Sequence, residues 1–226
     1  MCFSASASFV AGTALSAVGV ITLRGAVRGS DVPLASVPLL FGVQQIVEGL
    51  VWLSFRDGSA LPSDALTFVY SVFSHVLWPI LVPFAVRQIE PVRWRRTALA
   101  ACQLAGIAVG LYLLYIITVY PVTSRVLGQH IVYESPHFFA QAVMTLYLAA
   151  TCLSSLLSSA RVVRALGVLT FAAFIAAYVI HAATLVSVWC FFAAILSVLV
   201  YVYIQQQRAA VDPPLNASAW PRPGSP

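Results

Sequence analysis

The sequence predicts an all-α membrane protein, a bundle of seven transmembrane helices with its N-terminus outside the cell and its C-terminus in the cytoplasm. Of its 226 residues, 61% are hydrophobic and only 8% are charged, and the mean hydropathy is +0.92. A soluble domain carries about a quarter charged residues, and a chain this apolar could not build a well-hydrated surface. The composition therefore excludes soluble α/β and all-β domains, and the lipid bilayer is the predicted partner.

Long apolar runs predict where these helices lie. A helix needs roughly 20 residues to cross a bilayer, and five runs of about that length precede one that is too long for a single crossing. The last run predicts two helices with a break near residues 182–187. Small residues in the first helix, such as Gly12, predict close packing against a neighbour. The runs cover residues 9–23, 34–55, 66–86, 98–122, 138–157 and 162–204.

The arginines predict the orientation. All 12 cationic side chains are arginine, and the absence of lysine excludes Schiff-base chemistry, including that of a retinal pigment. Cytoplasmic loops carry the excess of positive charge in membrane proteins. Seven crossings from an outside N-terminus leave only Arg56 and Arg125 outside, whereas a single crossing of the last run leaves four arginines there. The distribution favours a multi-pass protein of the inner (plasma) membrane, and its scattered arginines indicate no nucleic-acid partner.

The chain is predicted to divide after residue 206. Residues 1–206 form the seven-helix domain, and residues 207–226 form a disordered, Pro-rich cytoplasmic tail. The tail is polar, a composition that cannot build a packed core. Its prolines are Pro213, Pro214, Pro221, Pro223 and Pro226.

Glu48 is the charged residue that lies well inside an apolar run. An ionisable group at such depth costs roughly 2.5 kcal/mol or more, and it usually faces the interior of a bundle. Gln44 and Gln45, four and three residues earlier, share its helical face, and Trp52 follows one turn later. A polar stripe is therefore predicted along one side of the second helix.

Histidines lie in three other predicted helices. His75 is four residues before Pro79, and a proline removes the hydrogen bond to the carbonyl four residues earlier, so a kink is predicted at the turn of His75. His137 follows Ser135 and Pro136 at a helix start, and His181 is near the end of the sixth helix. Helix rise places Glu48 about 10 Å and His75 about 15 Å below the outer surface, with the other two shallower. One outward-facing cavity is therefore predicted to hold all four.

These polar groups support three hypotheses about function. One carboxylate with several imidazoles suits zinc or another divalent transition metal, so the first hypothesis is a metal site of Glu48, His75, His137 and His181. Glu48 and His75 would be the catalytic residues of a metal-assisted hydrolase; a haem between two histidines is a variant. In the second, Glu48 is the proton site of a proton-coupled small-molecule transporter or a membrane sensor. In the third, Glu48 belongs to a structural hydrogen-bond network.

Several segments carry a family resemblance. The opening Met-Cys-Phe-Ser-Ala resembles the start of an uncharacterised bacterial family of multi-pass membrane proteins, and the resemblance extends to about residue 204. It implies the membrane class and carries no known activity, cofactor, small-molecule or lipid ligand, or catalytic residue. The other segments that resemble this family are residues 45–52, 74–79, 150–152, 157–159 and 188–194.

Overall fold

The computed structural model describes residues 4–56, 58–128, 130–135, 139–181 and 185–211. Over these residues the chain forms seven helices and one two-stranded antiparallel sheet. They are α1 (Ala5–Arg24), α2 (Gly29–Ser54), α3 (Ser63–Ile89), α4 (Arg93–Val119), β1 (Thr123–Leu127), β2 (His130–Glu134), α5 (Ala140–Leu156), α6 (Arg161–His181) and α7 (Leu185–Val211). Six of the helices are long and apolar enough to cross a membrane, and α5 is apolar but shorter.

The helices lie where the apolar runs predict them. In the longest run, α6 ends at His181 and α7 begins at Leu185, so the division of that run into two helices is confirmed. α7 continues to Val211. Most of the predicted tail, residues 212–226, lies outside the described residues, and its disorder stays a prediction.

The helices alternate in direction, which gives the bundle two ends. Antiparallel packing brings Gly12 of α1 against Gly42 of α2, and Gly106 of α4 against Pro79 of α3. The hairpin end contains the end of α2, the two strands and the start of α7; the tail end contains the starts of α4 and α6 and the end of α7. Of the described arginines, only Arg56 and Arg125 belong to the hairpin end.

Glycines allow α1 and α2 to approach closely. A Cβ atom on Gly42 would come within 2.5 Å of Ser16 Oγ, and one on Gly19 within 2.3 Å of the Leu39 backbone nitrogen. Neither distance is compatible with a side chain, so the contact depends on glycine. This confirms the predicted close packing of α1 and shows how membrane helices gain van der Waals contact where lipid supplies no hydrophobic driving force.

The turn that holds His75 is distorted, as the proline spacing predicts. The distortion is a π-helical segment, Val72–Leu77, directly before Trp78 and Pro79. π-Helical turns leave backbone groups in need of other partners. Here the Tyr147 hydroxyl of α5 donates to the Ser74 carbonyl oxygen at 2.5 Å. The distorted turn is thereby tied to a neighbouring helix.

The β-hairpin was not predicted. β1 and β2 pair antiparallel with Thr123 opposite Glu134 and Leu127 opposite His130, and Gly128 in the turn has a φ of 62° that suits glycine. The hairpin packs on α3, where Thr67 and Ser124 share a hydrogen bond of 2.6 Å between their hydroxyls. A predicted polar loop is therefore an ordered cover over the hairpin end of α3.

Candidate functional site

Glu48 lies in the interior of the bundle, as the sequence predicts. Its side chain is fully buried, about 9 Å from the end of α2 by helix rise. Its Oε1 accepts a hydrogen bond of 2.7 Å from the Ser187 hydroxyl of α7. Its Oε2 accepts one of 3.3 Å from Gln45 Nε2, one turn earlier on α2. The carboxyl group therefore joins α2 to α7.

Gln44 connects the same stripe to α3. The Trp78 indole N–H donates to Gln44 Oε1 at 2.7 Å, and the Trp78 ring stacks on Phe41 with 3.7 Å between ring centroids. Gln44 Nε2 is buried and has no hydrogen-bond partner within the part of the chain that the structure describes. The Cys190 thiol beside it is a weak acceptor. The polar stripe of α2 thus reaches both α3 and α7.

Cys190 lies at the centre of this region. Its buried thiol lies within hydrogen-bonding reach of the side chains of Gln44 and Tyr70 and near enough to Glu48 for an electrostatic interaction. It is three residues after Ser187, on the same face of α7. Neither Ser187 nor Tyr70 was predicted as part of this site, and Cys190 was not predicted to lie beside Gln44. Helical spacing of polar residues in α7 is the only sequence signal for Ser187 and Cys190, and it does not show which helix they face.

His75 is buried in α3 and bonds to its own helix. Its Nδ1 lies 2.8 Å from Ser74 Oγ and 3.2 Å from the Ser71 carbonyl oxygen. These contacts hold the imidazole in the π-helical turn that the proline creates. The hydrogen bonds described for Glu48 run instead to α2 and α7.

Two cavities adjoin this polar region. The first, about 60 Å³, lies between α2, α3, α5, α6 and α7 and is lined by Phe41, Trp78, Thr151 and Leu166 among others. The second, about 100 Å³, lies toward the hairpin end and includes Ser74, His75, Leu113 and Met144 in its lining. Both cavities share three lining residues, Tyr147, Trp189 and Cys190.

The predicted metal ligands are only partly visible. His137 lies outside the described residues, and His181 ends α6 but its side chain also lies outside them. Among the described residues, no group of three or more His, Cys, Asp or Glu side chains could hold a metal ion. The four-residue ligand set, and with it the catalytic role of Glu48 and His75, stays a prediction.

The comparison with family models covers nearly the whole chain. Residues 1–214 match the model described as a family of unknown function, DUF6629. No curated protein and no solved structure matches the chain significantly. The predicted uncharacterised family is thus confirmed, while its bacterial origin and its N-terminal motif, which falls partly on residues 1–3 outside the described part, stay predictions. The chain belongs to the family of unknown function DUF6629.

Proposed function

We propose that this protein binds a small molecule inside its helix bundle and couples that binding to protonation of Glu48, as a proton-coupled transporter or a membrane sensor. All seven helices cross the inner membrane, with the hairpin end outside and the tail end in the cytoplasm. The distribution of arginines between the two ends supports this orientation.

The hydrogen bonding of Glu48 carries the proposal. A hydroxyl group can donate or accept, and its hydrogen rotates between the two roles. The contact between Glu48 and Ser187 is 2.7 Å long. Across it, ionised Glu48 can accept from the hydroxyl, and protonated Glu48 can donate to the same oxygen. The Gln45 amide continues to donate to the other carboxyl oxygen. Both protonation states of Glu48 can therefore keep the same two partners, and ionisable residues inside a membrane often belong to proton pathways.

Two contacts connect this proton site to the cavities. Ser187, which donates to Glu48, is one turn from Cys190, which lines both cavities. Trp78 lines the first cavity and donates to Gln44, one turn from Glu48. A proton gained or lost at Glu48 changes the hydrogen bonding of α2 and α7, and these two contacts carry that change to the cavity wall.

A pH titration of tryptophan fluorescence tests the proposal. Trp78 and Trp189 line the first cavity, so protonation of Glu48 should change the emission of the purified protein in lipid nanodiscs. We expect a titration in the wild type that Glu48→Gln abolishes. Glu134→Gln, which changes an exposed carboxyl on the hairpin, is the matched control and should keep it. An identical titration in all three proteins would contradict the proposal.

A further inference from the structure

We infer that the two adjoining cavities bind a small apolar molecule that carries one hydrogen-bond donor, such as a hydroxyl group. The inference rests on the proposed function, because it names the class of molecule that the proposed binding site accepts. It depends on the chemistry of the cavity walls, and Glu48 does not belong to the lining of either cavity.

Most of the cavity wall is apolar. Aromatic rings form one part of it: the Trp189 ring packs edge-on against Tyr147, with 5.6 Å between ring centroids, and against Phe174, with 5.2 Å. Aliphatic side chains such as Leu166 and Leu113 form much of the rest. A wall of this kind favours a ligand whose body is apolar.

Six polar groups of the wall already donate their hydrogens to other protein groups. The two indole N–H groups donate to the Gln44 side-chain oxygen and the Thr170 carbonyl oxygen. The hydroxyls of four further lining residues donate to backbone carbonyl oxygens at 2.5 to 3.1 Å. These four residues are Tyr147, Thr151, Ser155 and Ser197.

These hydroxyl groups can still accept hydrogen bonds. Each hydroxyl oxygen has two lone pairs in addition to its hydrogen. Thr151 and Ser155 lie one turn apart on α5 and line the same cavity. Four other polar residues complete the two walls. Thr170 adds a hydroxyl and Cys190 adds a thiol, which is a weak donor. Ser74 and His75, which line the second cavity, bond to each other at 2.8 Å. The wall therefore offers acceptors in excess of donors, and a ligand that donates is the better match.

Fluorine NMR with three probes of similar size tests this inference. The probes are 4-fluorophenol, which donates, 4-fluorobenzaldehyde, which only accepts, and 4-fluorotoluene, which does neither. Each is titrated into the full-length protein in nanodiscs at fixed pH, and the dissociation constant is measured from the ¹⁹F signal. Two controls correct the measured binding for partition of the probes into lipid. They are empty nanodiscs and the variant Ala193→Phe, which fills the first cavity.

The variants Thr151→Val and Ser155→Ala remove the two acceptors with little change of shape. We expect at least one of them to raise the dissociation constant of the phenol about fivefold, because the loss of one hydrogen bond costs roughly 1 kcal/mol. The dissociation constant of the toluene should not change. Thr145→Val is the matched control. Thr145 makes the same 2.8 Å bond to a carbonyl four residues earlier as Thr151 does, but on the exposed face of α5.

Two results would overturn the inference. In one, no probe binds the wild type more tightly than it binds Ala193→Phe. In the other, both acceptor variants change the phenol and the toluene equally. Glu48→Gln should keep the preference for the phenol, because Thr151 and Ser155 are unchanged in it. The two proposals can therefore fail separately. If the protein prefers the phenol but the fluorescence titration does not depend on Glu48, the ligand class is supported and the proton coupling is rejected.

Discussion

Buried carboxyl groups lie at both ends of the bundle, but their partners differ. At the hairpin end, Glu48 accepts hydrogen bonds from two side chains, the hydroxyl of Ser187 and the amide of Gln45. At the tail end, Glu90 accepts from the backbone N–H groups of Ser159 at 2.6 Å and Val92 at 3.2 Å, and from the Ser159 hydroxyl at 2.5 Å. Both glutamates are buried.

Asp31 shows a second way to hold a carboxylate at the tail end. It is fully buried and receives hydrogen bonds from the Arg28 guanidinium and the Arg28 backbone N–H. Arg28 also donates to Gln207 of α7 at 2.9 Å. The hydrogen bond with Asp31 raises the pKa of Arg28, so the guanidinium stays charged beside this carboxyl group.

The difference lies in the donors that face each carboxyl group. A backbone N–H can only donate, and a guanidinium has no acceptor, so neither can accept a hydrogen bond from a protonated carboxyl group. A hydroxyl can reverse its role. Glu90 has a hydroxyl partner too, but it also faces two backbone N–H groups, and Asp31 faces a backbone N–H and a guanidinium, so both anchor loops at the tail end. The donors described for Glu48 are side chains, which fits its proposed role as a proton site.

The largest expected effect is a difference in stability between two variants, Glu90→Gln and Glu48→Gln. Glu90→Gln places an amide against backbone N–H groups that cannot rotate, and should cost about 2 to 3 kcal/mol of unfolding free energy. Glu48→Gln should cost less than about 1 kcal/mol, because the Ser187 hydroxyl can accept from the new amide. Thermal unfolding in detergent measures both. Equal losses in Tm would remove the distinction between the two ends.

Trp78→Phe should have the next largest effect. It leaves Gln44 Oε1 buried without its donor while the ring can still stack on Phe41, so about 1 to 2 kcal/mol should be lost. Trp94→Phe, which changes an indole that is 62% exposed, is the control and should be neutral. If the two variants unfold at the same temperature, the contact between Trp78 and Gln44 does not stabilise the site.

Tyr133→Ala tests whether the hairpin is an ordered cover. Tyr133 stacks on Tyr70 of α3 with 4.5 Å between ring centroids, and loss of such a pair costs about 1 kcal/mol. Hydrogen exchange of residues 123–134 should accelerate, while α1 and α2 keep their protection. Leu127→Ala, at an exposed position on the same hairpin, should change exchange less. Exchange that spreads through the whole bundle would contradict the idea of a local cover.

The smallest expected effect is the pH dependence of hydrogen exchange in the hairpin. The hydrogen bond from Arg125 lowers the pKa of Glu134 from its ordinary value of 4.5. A carboxyl with a lowered pKa stabilises the folded state above its ordinary pKa and loses that contribution as the pH falls below it. Hairpin exchange, corrected for intrinsic rates, should therefore rise slightly below pH 4.5 in the wild type and show no such step in Arg125→Gln. A step of equal size in both proteins would exclude this ion pair as its cause.

The apolar runs and the arginines were sufficient to predict the helices. Run length indicated where the apolar helices lie and that the longest run holds two of them, and the distribution of arginines favoured the same division. The hairpin was missed because five-residue strands give a weak pattern, although the alternation around Gly128 is a known hairpin signal. The partners of Glu48 were also missed. Ser187 is 139 residues away in the chain, and periodicity shows which residues share a face but not which faces meet.

Infrared difference spectroscopy tests the central claim most directly. The protein in lipid is taken from alkaline to acidic pH, and the C=O stretch of protonated carboxyl groups is recorded. We expect the wild type to show a signal from a carboxyl in a dry environment, and we expect Glu48→Gln to lose that signal while Glu134→Gln keeps it. A wild-type spectrum that Glu48→Gln leaves unchanged would show that Glu48 does not exchange a proton.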